Sequence, residues 1–256
     1  MFVRNWSFKE TNIRIKCDSE QAIDAAIEAS LQARRDIERL IVRFPEFRWS
    51  LEPLDLDGKH PKVIELMLKA GKVANVGPFA AVAGAISEIA VKAALDASAK
   101  NIMVENGGDI AISGNQDFLV GLFAGIAKIS EKIGLLVKRE ELPIGICTSS
   151  GTVVHSLSFG WADAAVAIAR DAAVADAAAT SIGNAVTGDN IKLSVRQGLE
   201  RAKQIPKVRA CLIAREGYIG TWGRIPELVP VRPESEELAA TSERYRKYGL
   251  DITPVL

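Results

Sequence analysis

Polar and apolar residues alternate near the beginning of the chain, and a helical spacing follows. Residues 8–18, FKETNIRIKCD, place apolar side chains on one side and charged side chains on the other. This alternation predicts a half-buried strand. From there to Pro45 apolar residues recur every three or four positions, which predicts a long helix with a capping box at Asp18 and Gln21.

Two more helices are predicted in the first half of the chain. One is the amphipathic segment HPKVIELMLKAGKV, which has Pro61 just inside its start. The other spans Gly77 to Ala99, where most residues are small and apolar. Such a composition is typical of a helix that packs closely on all sides or against a ligand.

The second half of the chain combines strand patterns with turn residues. Strands are predicted for NIMVE and IAISG on either side of an NGGD turn, and for DFLVGLFAG. KISEKIGLLVKREELP predicts a helix followed by a loop, and GICTSSGTVVHSLSFGWADAAVAIA predicts strand, turn and strand. The alanine-rich VADAAATSIGNAV predicts a helix, and VRACLIAREGYIGTW predicts a hairpin that turns at Glu216 and Gly217.

This mixture of helices and antiparallel strands predicts an α+β fold, with antiparallel or mixed sheets layered against helices. No break in composition marks a second domain, so residues 1–232 are predicted to form one domain. Residues 233–256 are polar and charged, which predicts a surface helix or a frayed C-terminal tail.

Composition narrows the classes of function. The 256 residues carry 32 basic and 32 acidic side chains without a dense basic stripe, so nucleic acid is not expected as a partner. The N-terminus mixes charges into every short window, and no uncharged apolar window matches a membrane span. Neither a secretion signal nor a membrane anchor is therefore expected.

Cysteine and histidine counts bear on location and on metal chemistry. Cys17, Cys147 and Cys211 are odd in number and far apart, which favours buried thiols in a reducing cytoplasm over a disulfide framework. The chain has only two histidines, so a zinc site of thiolates and imidazoles is hard to assemble. Any metal is expected to be a hard ion held by oxygen atoms.

The first candidate cluster is the glycine-rich segment ENGGDIAI. A dinucleotide-binding turn requires G-x-G-x-x-G opening a helix, whereas a strand pattern follows Asp109, and no P-loop motif occurs. Gly107 and Gly108 allow a positive φ or a close backbone approach, with Glu105, Asn106 and Asp109 supplying hydrogen bonds. An ordinary β-turn explains the same residues.

The second cluster, CTSSGTVVHSLSFG, concentrates hydroxyl side chains around His155. A serine hydrolase would use His155 as its base, but the G-x-S-x-G elbow is absent and spacing identifies no acidic partner. A histidine ring satisfied by backbone hydrogen bonds is the structural alternative.

The third cluster lies in the alanine-rich helix. Asp176 and Thr180 are four residues apart, so both offer oxygen atoms on one helical face, as a hard cation requires. Such pairs also occur without function. The surrounding alanines would let either a ligand or another backbone come close.

Taken in order, the three clusters resemble the ApbE-like superfamily, whose well-described members are magnesium-dependent FAD:protein FMN transferases. In that family a glycine-bearing helix leads to a GGD strand end, a TSG turn, a motif histidine and an ADALAT-type helix. The matching segments here are GPFAAVAGAISEIAVKAAL, VENGGDIAI, CTSSG with His155, and ADAAAT. The resemblance covers most of residues 70–222 and includes the closing hairpin.

The resemblance implies a site for FAD and Mg²⁺. Asp176 and Thr180 match the family's metal ligands, and the carbonyl of Ala83 matches a third. His155 would be the catalytic residue near the phosphate. The residues expected to line the nucleotide are Glu105, Asn106, Gly107, Gly108, Asp109, Thr148, Ser149, Ser150 and Gly151. A flavin nucleotide and an acceptor redox protein are the implied partners.

The chain departs from the transferases at several points. HSLSFGW follows His155 where the family has an Asp-Pro-x-Thr-Gly run, and the lysine beside the helix glycine and the lipoprotein signal are missing. These differences are typical of the uncharacterised cytosolic branch of the superfamily. Three hypotheses stay open: an FMN transferase, a non-catalytic flavin-binding or regulatory protein, and a small-molecule enzyme with altered chemistry in the same pocket. If the alanine-rich helix were exposed at an edge, it would equally fit a homodimer contact, and the oligomeric state stays open.

Overall fold

A computed structural model of the chain describes residues 1–121, 133–150 and 160–230. The helices are α1 (Glu20–Arg43), α2 (Glu46–Trp49), α3 (Lys62–Ala74), α4 (Val82–Asp96), α5 (Ala172–Ala185) and α6 (Ile191–Gln204). The strands are β1 (Phe2–Phe8), β2 (Thr11–Cys17), β3 (Ile102–Asn106), β4 (Asp109–Ser113), β5 (Phe118–Gly121), β6 (Ile133–Val137), β7 (Ile144–Ser149), β8 (Ala164–Ala169), β9 (Val208–Arg215), β10 (Tyr218–Gly223) and β11 (Glu227–Pro230).

Eight strands form one antiparallel sheet in the order β1-β2-β3-β4-β7-β8-β9-β10, and three form a smaller sheet in the order β11-β6-β5. In the large sheet Ile110 pairs with Ile146, so Asp109 at the start of β4 lies beside the end of β7. The register therefore brings the β3–β4 turn and the C-terminal end of β7 to the same end of the sheet.

The helices cover one face of the large sheet, and α5 lies at the centre of this layer. Ten of its fourteen residues are buried, because it packs against β7, β8, α3, α4 and α6 at once. The facing positions of β8 are also alanines, Ala165, Ala167 and Ala169. Small side chains on both surfaces let the helix lie close to the sheet.

The other face of the large sheet packs on the small sheet. Ile112 from β4, Phe118 from β5 and Leu135 from β6 belong to this second core. The structure is thus layered as helices, large sheet and small sheet, and the predicted α+β fold is confirmed.

α4 and the short 3₁₀ turn before it, Pro78–Ala81, form the predicted helix of small apolar residues. By length and composition alone, Pro78–Asp96 would pass for a membrane span, which the sequence analysis did not single out. Half of that stretch is buried, and α4 packs on α1, α5 and β3. The same apolar composition is therefore accounted for by a core position.

Three local predictions are wrong. The segment predicted as a helix before Pro143 contains β6, because its apolar run fills the space between the two sheets. The cap of α1 is Ser19, whose Oγ accepts from the Ala22 N–H at 3.3 Å. Asp18 instead accepts from the Lys100 N–H at 3.2 Å. The start of the first strand was also misplaced, since β1 precedes β2 and a turn at Lys9 separates them.

Two helices, the short α2 and α6, were not predicted. Asn190 caps α6 by accepting from the Leu193 N–H at 3.0 Å. The predicted tail over residues 233–256 and the end of DFLVGLFAG lie outside the described residues.

Candidate functional site

Three of the predicted site residues, Asn106, Asp109 and Asp176, hydrogen-bond to α4 near its N-terminus. Asp176, in the first half of α5, accepts through Oδ2 from the Gly84 N–H at 2.8 Å. An added Cβ at Gly84 would lie 2.4 Å from the Ala172 carbonyl oxygen. A glycine is therefore required for α4 to come this close to α5. The prediction that the alanine-rich helix admits a close neighbour is confirmed, and the neighbour is the backbone of α4.

The β3–β4 turn also reaches the start of α4. Gly107 and Gly108 have φ of 65° and 104°, which confirms the predicted NGGD turn with positive φ. Asn106 Nδ2 donates to the Ala83 carbonyl oxygen at 3.4 Å. Ser87 Oγ in α4 donates to the Asp109 carbonyl oxygen at 3.2 Å. These bonds fix the turn relative to the helix.

Two carboxyl groups lie at this junction, that of Asp109, which is buried, and that of Asp176, which is half-buried. Asp109 Oδ1 accepts from the Thr148 N–H at 3.2 Å. Burial, and then the charge of Asp176, raise the pKa of Asp109 well above its usual range. Burial likewise raises the pKa of Asp176 to about 7, although the N–H groups of Gly84 and Ala83 oppose the shift. Among the residues that the structure describes, neither carboxylate has an ion-pair partner.

The end of β7 contributes hydroxyl and thiol groups. Ser149 Oγ is buried, and it has no hydrogen-bond partner within the described part of the chain. Cys147 Sγ donates to the Ala172 carbonyl oxygen at 3.4 Å, and burial raises the pKa of this thiol well above its usual range. Cys147 is thus a packed, protonated thiol, as predicted for the cysteines, all three of which are free and buried.

Other predicted residues lie close by in the chain. Thr180 follows Asp176 by one turn of α5 and is half-buried. Glu105, on β3, and Ser150, after β7, are half-buried as well. Gly151 and the predicted catalytic residue His155 lie outside the described residues.

Glu88 in α4 also belongs to this junction, although no sequence pattern predicted it. Its Oε2 accepts from the Ala173 N–H in the first turn of α5 at 3.2 Å. Burial raises the pKa of this carboxyl group. The available signal was that Glu88 is the one charged residue between Gly77 and Val91, in an otherwise small and apolar run.

The donor set at the junction is composed of oxygen atoms. In the described ranges no three His, Cys, Asp or Glu side chains gather as a metal site. A cation at this junction would therefore have at most the two carboxylates of Asp109 and Asp176, together with hydroxyl groups and backbone carbonyls, the donors that suit a hard ion.

Comparisons with known proteins place the chain in a family. Residues 4–204 match the family model described as AbpE bacteria. A UPF0280 protein of Methanocaldococcus jannaschii is 42% identical over 230 residues, covering 89% of this chain and 93% of that protein. A UPF0280 protein of Methanosarcina barkeri is 40% identical over 225 residues, covering 88% and 87%.

Solved structures show the same fold at low identity. The ApbE protein of Thermotoga maritima matches with a TM-score of 0.57 and 16% identity, over 86% of this chain and 96% of that one. The apo form of the flavinyl transferase ApbE from Pseudomonas stutzeri matches with a TM-score of 0.55 and 10% identity, over 88% and 96%. The chain therefore belongs to the AbpE bacteria family, an ApbE-like branch that it shares with the archaeal UPF0280 proteins.

Proposed function

We propose that this protein binds FAD together with Mg²⁺ at the junction of α4, α5 and the β3–β4 turn, and transfers FMN to a serine or threonine hydroxyl. The observation that carries the proposal is the pair Asp109 and Asp176, which has no cationic side chain as an ion-pair partner among the described residues. Burying carboxylates without compensation is costly, and a bound cation would remove much of that cost.

The residues present fit Mg²⁺. Asp176 accepts from the Gly84 N–H through Oδ2 at 2.8 Å, and a carboxylate has further lone pairs that a cation can use. The Thr180 hydroxyl lies one turn further along the same helix, and the Ala83 carbonyl is beside Gly84. Carboxylate, hydroxyl and carbonyl oxygens are ligands that Mg²⁺ accepts.

The residues also fit a flavin nucleotide. The Ser149 hydroxyl is buried without a partner in the described part of the chain, and a ligand oxygen would satisfy it. Asn106 reaches the start of α4 through its bond to the Ala83 carbonyl oxygen, and Gly107 and Gly108 follow it in the β3–β4 turn. We propose Thr148, Ser150 and Glu105 as further lining residues.

In the proposed transfer, the acceptor hydroxyl oxygen attacks the phosphorus on the FMN side of the FAD pyrophosphate. A phosphoester bond forms, the bond between that phosphorus and the bridging oxygen breaks, and AMP leaves. The hydroxyl proton passes to His155 in this proposal. Bound Mg²⁺ would supply charge neutralisation at the pyrophosphate.

Incubating the protein with FAD and Mg²⁺ tests the proposal, with AMP and FMN followed by chromatography. AMP should appear for the native chain in the presence of a hydroxyl-bearing acceptor or through slow transfer to water. Asp176→Ala should abolish it, whereas Asp57→Ala, a change on an exposed loop, should not. Flavin binding without any AMP would remove the transferase proposal.

A non-catalytic flavin carrier or regulatory protein is the second candidate. The observation that favours it is the HSLSFGW segment after His155, where the transferases have Asp-Pro-x-Thr-Gly. The carrier hypothesis expects a stoichiometric complex with FAD or FMN that absorbs near the flavin bands and releases no AMP. A protein that binds no flavin at any Mg²⁺ concentration would contradict both candidates.

A further inference from the structure

The two helices that meet at the proposed site have no side-chain caps of their own. α4 begins after Ala81 and α5 begins after Asp171, and neither residue's side chain hydrogen-bonds to its own helix. The first N–H groups of a helix have no acceptor within the helix, so they need a partner from elsewhere.

Each helix supplies a carboxylate to the other. Asp176 of α5 accepts from the Gly84 N–H of α4 at 2.8 Å, and Glu88 of α4 accepts from the Ala173 N–H of α5 at 3.2 Å. Gly84 and Glu88 are four residues apart, and Ala173 and Asp176 are three apart in the opposite direction. The helices therefore run antiparallel here and exchange caps.

These two hydrogen bonds between the helices form only because α4 and α5 lie close together. Gly84 has no room for a Cβ, which would lie 2.8 Å from the Asp176 Cβ as well as 2.4 Å from the Ala172 carbonyl oxygen. A small shift of the first turn of α5 would therefore lengthen both hydrogen bonds. Glu88 is the side chain that holds this turn from the α4 side.

The charged groups around Glu88 and the N-terminus of α5 determine how strongly its charged form is favoured. Besides the helix N-terminus, the charged groups that act on it are Asp171 and Lys69, which form an ion pair at 3.7 Å. Lys69 belongs to α3 and favours the charged form of Glu88, whereas Asp171 disfavours it. The positive end of the α5 dipole also favours a carboxylate at this place.

We infer that Glu88 is a positioning residue for Asp176: it holds the first turn of α5 against α4 and thereby sets the direction of the carboxylate that binds Mg²⁺. The inference rests on the proposed function for the metal, but the positioning itself is a property of the metal-free protein. Partners that orient a metal ligand typically change metal affinity by roughly 10- to 100-fold when they are removed.

The direct test is amide hydrogen exchange at Gly84 in the metal-free native chain and its variants. Glu88→Ala should speed exchange of the Gly84 N–H by roughly tenfold or more, because its acceptor Asp176 is no longer held in place. Glu88→Gln keeps an acceptor oxygen and should restore exchange to within about threefold of the native rate. If Glu88→Ala does not fold, Glu88→Leu removes the oxygens while keeping the side-chain volume.

Asn190→Ala is the matched control, since it removes a cap bond that lies within α6 and thus costs stability without removing a hydrogen bond between α4 and α5. It should leave Gly84 exchange unchanged. The inference is overturned if the Gly84 N–H exchanges at the native rate in a folded Glu88→Ala or Glu88→Leu protein. It is also overturned if the exchange rate changes in these variants only as much as it does in Asn190→Ala.

Calorimetric titration of MgCl₂ into the FAD-saturated protein gives the second measurement. The dissociation constant should rise by roughly tenfold in Glu88→Ala and stay near the native value in Glu88→Gln and Asn190→Ala. If the native chain binds no Mg²⁺, the proposed function fails, and the Gly84 exchange still decides the role of Glu88. If the native chain binds Mg²⁺ and Glu88→Ala binds it equally well, the inference fails alone.

Discussion

Replacing Asp176 by asparagine should stabilise the metal-free protein at alkaline pH. Asparagine keeps a side-chain oxygen that can accept from the Gly84 N–H, the partner of Asp176 at 2.8 Å, but it does not ionise. The substitution therefore removes the buried charge and keeps the hydrogen bond. If this position contributed only to stability, a neutral side chain would be expected in place of Asp176.

The size of the effect follows from the pKa of Asp176, which burial raises from its ordinary value of 3.8 to about 7. Because the pKa is raised on folding, the folded protein binds more protons than the unfolded chain between these two values. The contribution of Asp176 to the free energy of unfolding is thus fully present below the unfolded pKa, is lost as pH rises towards the folded pKa, and then stays low. A difference of roughly three pH units corresponds to about 4 kcal/mol.

Urea denaturation of the native chain and Asp176→Asn, without divalent cations and at intervals from about pH 4 to about pH 8, measures this contribution. The variant should be more stable by up to about 4 kcal/mol at the alkaline end, and the difference should shrink steadily towards the acid end. Asp57→Asn, on an exposed loop, controls for the loss of a carboxylate as such. A difference between native chain and Asp176→Asn that is independent of pH would refute the assignment of a buried, proton-binding carboxyl group.

Magnesium should narrow the difference in stability between the native chain and Asp176→Asn. A cation that binds only the folded protein adds about 2.7 kcal/mol to stability at a concentration one hundred times its dissociation constant. This gain should appear for the native chain and be largest above the pKa of Asp176, where the carboxylate is already ionised. Asp176→Asn should gain little. Equal stabilisation of both proteins would place the cation elsewhere.

Three further substitutions probe the same junction. Gly84→Ala should lower the free energy of unfolding by about 2–3 kcal/mol, because the new Cβ would lie 2.4 Å from the Ala172 carbonyl oxygen, a backbone atom. Gly198→Ala meets side chains instead, with Ile213 Cδ1 at 2.5 Å and Val186 Cγ2 at 2.7 Å, and should cost less in the same urea assay. Ser149→Ala removes a buried hydroxyl without a partner in the described residues, so it should keep or raise stability by up to about 1 kcal/mol and weaken flavin binding measured by fluorescence titration. Thr180→Val keeps the side-chain shape, and calorimetry should show roughly tenfold weaker Mg²⁺ binding with little change in stability. Each assignment has a result that would contradict it. These are a small loss of stability in Gly84→Ala, an unchanged flavin affinity in Ser149→Ala and an unchanged Mg²⁺ affinity in Thr180→Val.

Local sequence patterns predicted the elements whose structure is decided locally. The NGGD turn needs two residues with positive φ, and Gly107 and Gly108 supply them. The hairpin at Glu216 and Gly217 obeys the same rule, with φ of 47° and 79°. The alanine-rich helix was also recognisable, because ten of its fourteen residues are buried and nearly all of these are small.

Patterns failed where the deciding contact is distant in sequence. β6 has a five-residue apolar run that fits a strand or a helix equally well, and only its pairing with β5 and β11 in the small sheet selects the strand. Asp18 has the residue type of a helix cap, but it bonds to Lys100, 82 residues away, so Ser19 takes the cap. Glu88 and Ala173 are 85 residues apart, and no spacing rule connects them.

One physical cause links the alanine content of α5 to the raised pKa of Asp176 in the proposed site. Small side chains allow α5 to lie against both the sheet and α4, and that contact partly buries Asp176 and raises its pKa. A helix selected for packing alone would carry another alanine at this position and be more stable for it. An aspartic acid at position 176, where burial of its charge lowers stability, is understandable if a cation completes the site. The same close packing of the two helices explains why α4 must have a glycine at position 84.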